Sequence, residues 1–208
     1  MFLAASVVHP AIAFAQESDG VYGRLDGDML FVGAAGVGIE AGGAVLETHV
    51  SLNYLSTAGP YVRYTEGFGQ DDLRAARSIG FGMELRPLFL GRYALDLERG
   101  PPHLDLFADS FTLIAGMFWA APSTGPDAYE FLLEPGLELG IGVSVPLLPS
   151  GSGPYVGVQG LARWPGEHLV GRSDADFLDR GALLIFTLAW HQIFDSGLVD
   201  FRDSRAGR

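Results

Sequence analysis

The chain has 208 residues, a length that suits one folded domain, and no stretch of it reads as a linker between two cores. Hydrophobic residues make up 48% and charged residues only 18%, a greasier balance than a water-soluble domain, where charges reach about a quarter. The formal charge of −12 argues against nucleic acid as a partner, because phosphate would be repelled, and a chain without cysteine has no disulfide framework.

Met1 to Ala15 (MFLAASVVHPAIAFA) has an apolar stretch, a break at Pro10 and a small-x-small site at Ala13-Phe14-Ala15. That pattern is expected of a cleaved signal peptide, here without the usual basic residue near the start. No run of about 18 uncharged apolar residues follows, which argues against membrane-crossing helices.

From Val21 onward apolar residues alternate with polar ones or glycine, the period of a strand with two unlike faces. Eight such segments are expected, at about 21–40, 43–56, 59–68, 76–90, 105–120, 129–147, 154–165 and 180–194. In the second, Leu46, Thr48, Val50, Leu52 and Tyr54 share one face, opposite Glu47, His49, Ser51 and Asn53. In the sixth, Phe131, Leu133, Leu137, Leu139, Ile141, Val143 and Val145 lie opposite Glu130, Glu134, Glu138, Gly140, Gly142 and Ser144. Compact Gly-rich turns are expected at 40–43, 56–59 and 149–153, and longer polar connections at 67–75, 121–128 and 166–179. Residues 90–105 have helix-like spacing ahead of Pro101-Pro102 and predict a short helix or ordered turn. Residues 195–208 form a polar tail.

The polar register carries Arg24, Asp26, Asp28, Glu47, His49, Arg63, Glu84, Arg86, Glu134, Glu138 and Arg163, mixed with glycine. A water-facing surface rarely holds so much glycine, whereas the crowded interior of an eight-stranded barrel does. An inward network of paired charges follows, with the bulky register facing out. Trp119, Trp164 and Trp190, with Tyr54, Tyr64 and Phe131, sit in the bulky register near segment ends, as two aromatic girdles would.

The export signal, the eight alternating segments and the girdle aromatics together resemble the small outer-membrane β-barrel superfamily, the outer-membrane protein A and W type barrels. The resemblance covers nearly the whole chain after residue 15 and rests on pattern rather than on a motif. It implies an all-β, antiparallel up-and-down transmembrane barrel over 16–194, with both termini in the periplasm. Implied partners are outer-membrane lipid, lipopolysaccharide and the barrel-assembly machinery. Such barrels often end on an aromatic residue, here Phe194, yet a polar tail follows it.

Chemistry is sparse. Glu47, His49 and Ser51 share one strand face, and a lipid A deacylase of this superfamily uses a His-x-Ser pair on its wall. That pair must aim at lipid, whereas His49 and Ser51 belong to the inward register. Glu130, Glu134 and Glu138 would stand about 13 Å apart in a strand, too far to share a metal. No metal or cofactor is expected. A noncatalytic barrel with a plugged polar lumen, in a structural or loop-mediated recognition role, leads over a narrow channel for small polar or cationic solutes and over a lipid A-modifying hydrolase.

Overall fold

The computed structural model describes residues 22–40, 43–68, 75–95, 97, 100–122, 130–131, 133–166 and 181–197. Eight strands run in chain order: β1 (Met29–Glu40), β2 (Gly43–Tyr54), β3 (Ala58–Phe68), β4 (Ala75–Leu85), β5 (Thr112–Pro122), β6 (Gly136–Pro146), β7 (Gly153–Trp164) and β8 (Gly181–Phe194). Each pairs antiparallel with its neighbours in sequence. The ring is completed by β1 against β8, from Met29↔Phe194 to Glu40↔Leu183. No free edge is left to recruit another chain.

Alternation places the side chains. Along β2, Glu47, His49, Ser51 and Asn53 are buried while Leu46, Val50, Leu52 and Tyr54 are exposed. The outside of the barrel is apolar from strand to strand. Val62, Phe81, Met83, Leu113, Ile141 and Leu188 are among its exposed residues. β8 is the clearest case. Ile185 is fully buried and its neighbour Phe186 is 52% exposed, so both faces are apolar but only one is enclosed.

One end of the barrel carries both the start of β1 and the end of β8. Its β2–β3 turn is a tight hairpin in which Thr57 N–H donates to the Tyr54 carbonyl at 2.9 Å. Leu55 and Ser56 both have positive φ, as the twist of a two-residue hairpin turn requires, although neither is glycine. At the same end, residues 86–111 form two short helices, α1 (Pro87–Ala94) and α2 (Pro102–Asp109), each opened by a proline in its first turn.

Four segments therefore begin or end elsewhere than alternation suggests. β1 starts at Met29, so Arg24, Asp26 and Asp28 lie before it in an irregular turn. The fourth and fifth strands are shorter than expected because Pro87 and Pro102 start helices, and two helices replace the single one read at 90–105. β6 starts at Gly136, just past Pro135, which cannot donate to a ladder; Glu130, Phe131, Leu133 and Glu134 lie outside the wall and are exposed. Residues 1–21 and 198–208, with the expected signal peptide and most of the tail, are outside the described residues, as is most of 166–179.

Candidate functional site

The interior holds most of the polar register. Arg63, on β3, is fully buried at its centre. Its Nε donates to Glu47 Oε1 on β2 (3.1 Å), Nη1 to Glu138 Oε1 on β6 (2.8 Å) and Nη2 to Gln159 Oε1 on β7 (2.7 Å). In a ring of eight, β3 and β7 are diametrically opposite, so one guanidinium bridges the lumen from wall to wall. Glu138 also accepts from Arg163 Nε at 2.9 Å and from the Tyr61 hydroxyl at 2.7 Å. Two cations and a phenol thus share one buried carboxylate, which satisfies charges that would otherwise be costly to bury.

Glycine makes this reach possible. Along one ladder row Tyr61 pairs with Gly82, Gly82 with Gly116 and Gly116 with Glu138. The tyrosine lies across the two glycines to its acceptor, and a Cβ on Gly116 would collide with the Tyr61 hydroxyl.

The rest of the lumen is less polar than the sequence suggests. Val45, Tyr61, Ile114, Leu161, Leu183 and Ile185 form one buried cluster, and Leu30, Val32, Tyr155, Ala189 and Ile193 a second. They fill the space around the ion pairs, as the narrow bore of eight strands demands.

His49 and Ser51 are buried inside this wall, at 3% and 1% exposure. His49 Nε2 lies 2.9 Å from Glu84 Oε1 but is not aligned for a hydrogen bond, and Ser51 Oγ accepts from Asn53 Nδ2 at 3.0 Å. The pair faces the interior, where a lipid substrate aligned with the barrel exterior does not reach.

Below these residues, at the end that carries the start of β1 and the end of β8, is a cavity of about 20 Å³, enough for a single water. Arg24, Arg86, Phe89, Asp109, Tyr155 and His191 are among its lining residues. The rings of Tyr155 and His191 stack at 3.8 Å. Arg86 Nε has no hydrogen-bond partner among the described residues, so water in the cavity is its natural acceptor. α1 and α2 close this mouth. Asp109 accepts from Arg24 and, at 2.9 Å, from Arg92, which also pairs with Asp105. The Arg24 guanidinium stacks over Phe89 at 4.5 Å.

Several expected members of the network are placed elsewhere. Asp26 is exposed, and Asp28 lies before β1 and accepts from the backbone N–H and hydroxyl of Ser196 at 2.6 Å each. Arg24 pairs with a helix residue, Asp109 of α2. Glu134 is exposed ahead of β6 and takes no part in the lumen. Conversely, Tyr61, Gln159, Asp105 and Asp109 complete ion pairs and hydrogen bonds that sequence reasoning missed. Tyr61 and Gln159 were legible in principle, because they share the registers of Arg63 and Arg163.

Of the aromatic residues, Tyr54 (40% exposed) and Trp190 (53%) lie outside the wall toward the end that carries the start of β1 and the end of β8. Tyr64, Trp119 and Trp164 lie toward the other end, where Trp119 stacks on Phe81 at 5.2 Å. Phe131 is exposed but precedes β6 rather than sitting on it.

Taken together this is a closed eight-stranded up-and-down barrel built inside-out, with ion pairs within and a mostly apolar surface without. No family model and no curated protein matches the chain. Among solved structures it is similar to the N-terminal β-barrel domain of Pseudomonas aeruginosa OprF, at 8% identity and a TM-score of 0.48, over 80% of this chain and 98% of that one. It is also similar to Neisserial surface protein A (NspA), at 12% identity and a TM-score of 0.41, over 80% of this chain and 96% of that one.

Proposed function

We propose that the protein is an integral outer-membrane β-barrel with a plugged lumen, acting noncatalytically as a structural or loop-mediated recognition element. The observation that carries this reading is the pairing of an apolar exterior with the Arg63 crossbar. A 12-residue strand tilted by about 45° rises roughly 28 Å, close to the thickness of a bilayer's hydrocarbon core. Water offers no reason for such a surface to stay exposed at both ends of the same strands. Tyr54 and Trp190 then mark the periplasmic headgroup layer, and Tyr64, Trp119 and Trp164 the outer one. Apart from 86–111, the longer connections, 123–135 and 165–180, leave from the outer end, where a recognition surface belongs.

The channel alternative drew on the excess of carboxylates and the glycines of the polar register, with Glu134 and Glu138 among those carboxylates. One lies outside the wall and the other is held by two arginines. Purified protein in planar bilayers is expected to show little or no steady conductance. Large, stable channels would count against the plug and favour a pore.

A further inference from the structure

The two helices carry their polarity the wrong way round for a water-facing cap. On α2 the acidic side is the buried one. Asp105 and Asp109 are 4% and 5% exposed, whereas Leu104 and Phe107 are 63% and 39% exposed. On α1, Phe89 is buried and Arg92 turns toward the two aspartates, leaving Leu88 and Leu90 outside, with Leu95 beyond the last turn. Among the described residues of 87–109, no exposed one is an acid, a lysine or an arginine.

An apolar face of this kind must be covered, and its surroundings indicate by what. Leu85 and Leu113 are paired with each other at the feet of β4 and β5, both exposed on the barrel's outside. Leu88 follows Leu85 by three residues, so the face of α1 continues the apolar exterior without a polar break. Leu147 and Leu148, just past the end of β6 at the same end of the barrel, are also half exposed. Helices of eight residues span about 12 Å, too short to cross a membrane, so they can only lie along it.

We infer that α1 and α2 form an interfacial lipid-binding element, seated with Leu88, Leu90, Leu104 and Phe107 among the acyl chains and headgroups of the periplasmic leaflet. The Arg24–Asp109–Arg92–Asp105 chain holds them there against the barrel mouth. An amphipathic helix in an interface usually turns its charges to water and its apolar face to lipid. Here the charges are spent inward, on fixing the helices to the lumen entrance, and the apolar face serves the same purpose. This inference rests on the transmembrane reading of the barrel, and the two separate experimentally.

The absence of native cysteine permits single nitroxide labels without further substitution. Leu88→Cys, Leu104→Cys and Phe107→Cys would be compared in phospholipid vesicles with Ile141→Cys on the wall and Leu133→Cys, whose parent side chain is 94% exposed outside it. Each variant is first shown to be closed by heat-modifiable gel migration. Collision rates with oxygen, which concentrates in lipid, and with a water-soluble nickel chelate then report the surroundings. The helix sites are expected to give an oxygen-to-nickel ratio several-fold above that of Leu133→Cys and approaching that of Ile141→Cys. Nickel access equal to that of Leu133→Cys at the helix sites, with Ile141→Cys still lipid-like, overturns the inference and leaves the barrel reading intact. Exclusion of both reagents, with dipolar broadening between labels, also overturns it and assigns the face to a second copy of the chain. Nickel access at Ile141→Cys would sink the transmembrane reading itself.

Discussion

Replacing Glu138 by glutamine removes one charge and almost no volume. In the wild type this carboxylate neutralises Arg63 through Oε1 and Arg163 through Oε2, and it accepts the Tyr61 hydroxyl. The two arginine side chains are at most 2% exposed, so water cannot replace the lost charge. Removing one partner of a buried pair costs about 3–5 kcal/mol, because the remaining charge stays buried. Glu47 still faces Arg63 at 3.1 Å and takes up part of its charge, which places the expected loss toward the lower figure, with Arg163 the more exposed to it. Urea unfolding of the protein in vesicles, followed by tryptophan fluorescence, measures it. With a slope of about 2 kcal/mol per molar, the midpoint should fall by roughly 1.5 M. A further variant, Glu138→Gln with Arg163→Gln, should recover part of the loss, since it removes the stranded cation. A midpoint unchanged by the single substitution would refute the reasoning, and would mean that water penetrates the lumen and screens its charges.

Ile141→Arg places a cation on the lipid side of β6 and should destabilise the inserted barrel by about 2–4 kcal/mol, read from the same unfolding curves. On the inward side of the same strand, Gly140→Ala meets the Gly160 carbonyl at 2.8 Å and the Leu161 side chain, so bulk alone should cost about 1–3 kcal/mol, seen as a lower heat-modification temperature. Asp109→Asn loosens both Arg24 and Arg92. Losing charge-assisted bonds worth about 1.5–3 kcal/mol should raise hydrogen exchange in 102–109 by roughly 10- to 100-fold while β2 and β8 keep their protection.

The eight strands were legible because a bilayer or core on one side and a lumen on the other impose a strict period of two, and the chain obeys it over most of its length. Errors arose where that period runs on past the physical strand. Glu130 and Glu134 keep step with Glu138, but Pro135 ends the ladder between them. Arg24, Asp26 and Asp28 alternate with uncharged residues as a strand would, yet Tyr22 has a positive φ and the turn it belongs to brings Arg24 under the lumen. Sorting residues by polarity also hid interior members. In β8 Leu183 and Ile185 point in while Leu184 and Phe186 point out, and composition cannot separate them. The contact between Arg24 and Asp109 joins positions 85 residues apart and has no local signature.

One rule organises both the wall and the helix pair: charge is turned toward the barrel axis and apolar surface away from it. In the wall this follows from the strand period alone. In 87–109 it does not, because a helix in water would gain by the reverse orientation, and the prolines at 87 and 102 fix only where the helices start. The cause is the lumen itself. Its mouth holds Arg24, which the inward-facing carboxylate of Asp109 meets, and meeting it commits α2 to turn Leu104 and Phe107 outward. Breaking that pair should therefore do more than loosen a lid. With Arg24→Gln, α2 keeps its ties to Arg92 on α1 but loses its ion pair to the lumen mouth, so the label at Leu104→Cys should gain nickel access while the one at Ile141→Cys does not. If the Leu104 site keeps its lipid-like ratio, the ion pair does not set the orientation, and the apolar face alone holds the helix against the membrane.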